Sequence, residues 1–208
     1  MIQHYSLQRA ANAETAGSNS LAAATTDATM ISLGIIIGSC AAVFFLVMLI
    51  RFRSVDVKQY LMLKPFIPRD LLNWFIVLAG TTLIFTLIAW LISHDTPDFM
   101  LKIWNGRDST LLLLFAIIIA APIFEECLFR GFMFSGIQNS HLGTGAAIVI
   151  SAATWTFIHY PQYGAFELIT IFILGIVLAL SRIASGSLYV PIILHAANNL
   201  FAVLTMVL

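Results

Sequence analysis

This chain carries very little charge, with ten basic and ten acidic residues among 208, a net charge of zero and a pI near 7.0. Charge so sparse and balanced leaves no basic face for nucleic acid and no acidic run for a basic soluble partner. Cysteine is scarcer still. Cys40 and Cys127 are the only two, both inside apolar stretches, where they read as small packing residues rather than a disulfide framework or a CxxC pair. No Gly-x-Ser-x-Gly occurs, which argues against a serine nucleophile, and no His-Glu-x-x-His, which removes the commonest zinc-protease signature. The N-terminus lacks the basic segment and compact apolar core of a leader peptide. Residues 1–29 are rich in Ala, Ser, Thr and Asn, with charges only at Arg9, Glu14 and Asp27. They bury too little apolar surface to fold alone and read as a disordered polar tail.

What the chain has in abundance is apolar sequence. Hydrophobic residues make up 60% and mean hydropathy is +0.96, well above the roughly 45–50% apolar usage of soluble domains. The fold class that follows is all-α, a polytopic transmembrane helix bundle of about six spans. At about 1.5 Å rise per residue, some 20 apolar residues cover a hydrocarbon core of about 30 Å. The expected spans are 30–50, 71–92, 110 to about 138, 144–159, 166–183 and 188 to the C-terminus. Residues 30–208 then form one transmembrane domain, with its chemistry-bearing core at about 110–208. The segment 51–70 interleaves Arg51, Arg53, Lys58, Lys64 and Arg69 with apolar residues and should lie along the interface. Residues 94–109, with Pro97 and Gly106, read as a polar connection. Lys and Arg in short loops set orientation, and they place the 51–70 connection on the cytoplasmic side and the N-terminus outside.

Against this apolar background the run Glu125-Glu126-Cys127-Leu128-Phe129-Arg130 stands out, because residues 111–124 before it carry no charge at all. An ionisable group at membrane depth costs roughly 2.5–3.5 kcal/mol even on lenient insertion scales, so such a cluster marks a functional site. On a helix, residues four apart share a face and adjacent ones diverge by about 100°. Glu126 and Arg130 are therefore expected to neutralise each other, leaving Glu125 for chemistry. Cys127 points away from Glu126 with no base placed to form a thiolate. Two histidines sit in later apolar stretches. His159 lies four residues after Trp155, and His195 four before Asn199. Each alone reads as an interfacial or helix-packing polar contact. Together, an acidic dyad and two histidine-bearing helices supply a general base with imidazole and amide donors for an oxyanion, which is what hydrolysis needs. His159 and His195 start from opposite ends of the bundle. They meet only if the site lies well inside the bilayer or a segment dips in, and Pro191 points to the second, with residues 186–190 descending as irregular backbone and the last helix starting near Pro191.

The order Glu-Glu-x-x-x-Arg, aromatic-x-x-x-His, His-x-x-x-Asn resembles the CPBP family of intramembrane proteases, also called the Abi or CAAX-protease family. Glu125, Glu126 and Arg130 match its first motif, Trp155 and His159 its second, with Trp in place of the more usual Phe, and His195 and Asn199 its third. The lead-in Gly186-Ser187-Leu188-Tyr189-Val190-Pro191 is similar as well. The resemblance covers about residues 111–199. It implies an intramembrane endopeptidase acting on a membrane protein or peptide in the bilayer, with Glu125, His159, His195 and Asn199 catalytic and Glu126, Arg130 and Trp155 supporting. Two mechanisms stay open. Glu125, His159 and His195 can hold a divalent metal such as zinc, or Glu125 can act as base on a water held by His159 while His195 and Asn199 bind the oxyanion. A different class is a catalytically silent membrane scaffold or bacteriocin-immunity protein of the same fold, and a third is a proton-coupled transporter. The short, six-span chain suggests the plasma (inner) membrane of a prokaryote.

Overall fold

The computed structural model describes residues 28–207, and the polar segment before Ala28 lies outside the described residues. Eight helices form, and no strand occurs among the described residues. They are α1 (Ala28–Phe52), α2 (Val57–Tyr60), α3 (Pro68–Leu91), α4 (Asp98–Asn105), α5 (Thr110–Gln138), α6 (Gly143–His159), α7 (Ala165–Ser185) and α8 (Tyr189–Val207). The protein is thus an all-α polytopic bundle. Of its six long helices, α1, α3, α5, α7 and α8 are long and apolar enough to cross a membrane. The sixth, α6, has 17 residues, about 26 Å at 1.5 Å per residue, short of a full hydrocarbon crossing.

Local chemistry sets the helix ends. Ser109 caps α5 by accepting from the Leu112 N–H at 3.3 Å, and Asp56 caps α2 by accepting from the Gln59 N–H at 2.8 Å, each meeting one of the orphan donors of a first turn. Pro68 opens α3, where its missing N–H costs nothing. Gly186 ends α7 at φ 64°, a left-handed conformation that glycine adopts without a Cβ penalty. Contrary to the expectation of a purely polar connection, residues 98–105 form α4. Its Phe99, Met100, Ile103 and Trp104 face inward, and Asp98 and Lys102 hide that short apolar face from a composition reading.

The core is a layer in which α5, α6, α7 and α8 meet, with Phe129, Trp155, Leu174, Leu178, Val190 and Leu194 buried against Leu78 of α3. A second cluster joins Leu46, Ile50, Leu61, Cys127 and Leu188, so Cys127 is a core packing residue. The 51–70 connection is tied to the bundle rather than merely resting on it. Met62 O accepts from Leu188 N–H at 2.9 Å, Lys64 O from the Ser187 hydroxyl at 2.5 Å, and Tyr60 O from the Ser135 hydroxyl at 2.9 Å. Leu61 sits against Gly131, where an added Cβ would stand 2.8 Å from the Leu61 side chain. These bonds also correct the expected entry to the last helix. Only residues 186–188 are irregular and α8 starts at Tyr189, because Ser187 and Leu188 are satisfied by the 62–64 backbone instead of descending to Pro191.

Candidate active site

Within α5 two stretches, Phe115–Ala120 and Glu126–Met133, are π-helical, a local widening often found at functional sites. Pro122 accounts for one consequence of the first. The Ala121 N–H bonds Ala116 O, so the next donor in that register would be residue 122, which has no N–H. Ile117 O is left without its helical partner. Asn199 of α8 supplies one, donating from Nδ2 at 2.8 Å, as an unpaired carbonyl at membrane depth requires.

The second π stretch begins beside Glu125. Arg130 donates to Glu126 Oε1 at 2.9 Å, and both side chains are fully buried, the pairing expected from their spacing. The same oxygen accepts from His195 Nδ1 at 2.8 Å, so Glu126 also ties α8 to α5, which local spacing could not reveal. Arg130 donates in addition to Gly175 O at 3.3 Å, and its guanidinium lies 4.3 Å over the Trp155 ring. Gly175 makes this approach possible, since a Cβ there would stand 3.0 Å from that of Ala152 and 3.3 Å from Arg130 Nη2.

Glu125 is turned toward the other side. Its Oε2 accepts from Trp155 Nε1 at 2.5 Å and lies 3.9 Å from His195 Nε2, too long for a direct hydrogen bond. Trp155 stands edge-on to both His159 and His195, each ring centroid 5.2 Å away. The two histidines that start from opposite ends of the bundle therefore meet on one indole. His159 Nδ1 bonds Trp155 O at 2.7 Å. Because a carbonyl only accepts, that nitrogen carries a proton and Nε2 is left as the ring's free position.

Glu125, Trp155, His159, His195 and Asn199 line one cavity of about 570 Å³, so the structure brings together the four residues named as catalytic. Glu126 and Arg130 lie behind it, fully buried. As a metal set Glu125, His159 and His195 fit poorly. Trp155 holds the Glu125 oxygen, and among the described residues no three His, Cys, Asp or Glu side chains are grouped to hold a metal ion.

Further polar residues line the same cavity, among them Gln162, Tyr163 and Glu167. Tyr163 lies in the connection between α6 and α7, with its ring 6.1 Å from His159. Burial, with Glu125 and Glu167 adding to it, pushes its phenol up to about 12, so it stays a donor at any physiological pH. Glu167 accepts from His94 Nε2 at 2.5 Å. It is the one charged residue between Ala165 and Ser181, and such isolation in apolar sequence was a readable signal. Tyr163 gave none, because Pro161 breaks the helical spacing from His159.

Residues 107–201 match the Rce1-like family, described as type II CAAX prenyl endopeptidase Rce1-like. The chain is also 30% identical over 100 residues to an uncharacterized 24.3 kDa protein of Escherichia coli, covering 47% of this chain and 46% of that one. The chain spans about half the length of the curated relative it matches. No solved structure matches it. The family segment runs from just before α5 into α8 and takes in all seven motif residues from Glu125 to Asn199. The likeness to the Rce1-like family is thus confined to residues 107–201, a little under half of the chain, and that segment holds the whole of the candidate site.

Proposed function

We propose that this protein is an intramembrane endopeptidase of the CAAX-protease type, acting on a membrane-associated protein or peptide in the plasma membrane of a prokaryote. The observation that carries the reading is the 3.9 Å gap between Glu125 Oε2 and His195 Nε2 in a largely apolar cavity, with each side chain fixed from behind by another residue. Glu125 takes a proton from a water that attacks the scissile carbonyl carbon. His159, whose Nδ1 is held by Trp155 O, offers Nε2 to orient that water. His195 is held through Nδ1 by the Glu126 carboxylate and, when Nε2 bears a proton, directs that N–H to the oxyanion. Asn199 spends one N–H on Ile117 O and keeps the other for the same oxyanion. Collapse of the tetrahedral intermediate breaks the C–N bond, and Glu125 returns its proton to the leaving amine, giving an amine and a carboxylic acid, which then ionises to water.

The test is cleavage of a membrane-peptide library by the reconstituted protein, with and without chelator. Glu125→Gln should lower the rate by about 10²–10⁴-fold, the usual worth of a general base, while chelator leaves the wild type unchanged. Full activity of Glu125→Gln would overturn the assignment, and loss of activity with chelator would overturn the metal-free mechanism.

A further inference from the structure

The cavity lies toward one end of the bundle. It is lined by Ile35 in the first half of α1, by residues 81–89 late in α3, by the first half of α5 as far as Glu125, by the end of α6, by the start of α7 and by α8 from His195 onward. Because successive long helices run antiparallel, these are all the same end. The cavity continues into the connections at that end, through Phe99 and Trp104 of α4 and through Gln162 and Tyr163. No residue of the connections at the opposite end, 53–67, 139–142 or 186–188, lines it.

Charge is distributed unequally between the two ends. The end away from the cavity carries Arg51, Arg53, Lys58, Lys64, Arg69 and Arg182 against Asp56 and Asp70. The cavity end, within the described residues, carries Lys102 and Arg107 against Asp95, Asp98, Asp108 and Glu167. Lys and Arg in short connections stay on the cytoplasmic side, while acidic residues contribute little to orientation. Six cations against two is a strong bias, and it sets the empty end of the bundle in the cytoplasm.

We infer that the catalytic cavity faces the non-cytoplasmic side and takes its substrate there, so that the substrate is an apolar segment of an exported or surface-exposed polypeptide. The inference rests on the endopeptidase reading for its substrate, but the facing of the cavity can be tested without it. The apolar walls contributed by Phe85, Met100 and Ile103 suit side chains of a membrane segment better than a soluble polar peptide.

Single cysteines introduced at Asn105 in α4 and at Ser140 between α5 and α6, both exposed, decide the orientation. A membrane-impermeant maleimide applied to intact cells should label Asn105→Cys and should label Ser140→Cys only after permeabilisation, with the unaltered chain as the blank. The reverse pattern would overturn the inference. Cleavage then tests the substrate side. A peptide added from outside should be cut by right-side-out vesicles and spared by inverted ones, and preferential cutting by inverted vesicles would also overturn it. If Asn105→Cys labels from outside while wild type and Glu125→Gln are equally inert toward every peptide, the endopeptidase reading fails and the facing of the cavity stands.

Discussion

One oxygen of Glu126 accepts both from Arg130 on its own helix and from His195 on α8, so charge balance and imidazole placement depend on the same atom. Removing one member of a buried ion pair strands the other in low dielectric, at a cost of about 3–5 kcal/mol. The margin here is narrow, because Glu126 Oε2 and Arg130 Nε already lack partners among the described residues. Glu126→Ala should therefore lower the thermal midpoint in detergent well below that of Glu126→Gln, which keeps the volume and one acceptor. The paired change Glu126→Leu with Arg130→Met should recover much of the loss, since apolar replacement of a whole buried pair is often neutral. Equal midpoints for the Ala and Gln variants would contradict this account. The Glu126–Arg130 pair was legible because its partners stand four residues apart on one helix. The bond from His195, across 69 residues, had no local spacing to announce it.

At the scale of the element, the sequence analysis treated 110–138 as a regular helix with 100° between neighbours, and the π-helical stretches depart from that. Pro122 was the available signal. Its missing N–H leaves Ile117 O to be met from outside α5, and Asn199, expected only as an oxyanion donor, is also the structural partner of that carbonyl. A buried carbonyl left unsatisfied costs about 1–3 kcal/mol, so Asn199→Ala should destabilise the protein by that order. Pro122→Ala returns an N–H to the helix at the residue whose register faces Ile117 O. In that background Asn199→Ala should cost less, with a coupling of about 1 kcal/mol in a double-mutant cycle of unfolding free energies. Additive costs would show that Pro122 is not what leaves Ile117 O to Asn199.

For the whole molecule, the six long helices were legible because runs of about 20 apolar residues have few other readings. The arrangement around the site was not, because α4 is only eight residues long and the contact between His94 and Glu167 joins positions 73 apart. Periodicity also gave little help in telling lipid-facing from core-facing sides, since a helix in a bilayer is apolar all round. The structure makes that distinction. Leu83, about two turns before the end of α3, is 68% exposed, and Phe52, at the end of α1, is 89% exposed, yet their surroundings differ. Leu83 sits at the depth of the hydrocarbon, where an arginine costs roughly 2.5–3.5 kcal/mol. Phe52 lies between Arg51 and Arg53 at the basic end, where a long cationic side chain reaches the headgroups. Leu83→Arg should therefore reduce the membrane-inserted, folded fraction sharply while Phe52→Arg leaves it near wild type, as read by detergent-extracted monomer after membrane fractionation. Equal tolerance at the two sites would mean that α3 does not present this face to lipid. The apolar surface around Leu83 would then be an interface with another protein chain.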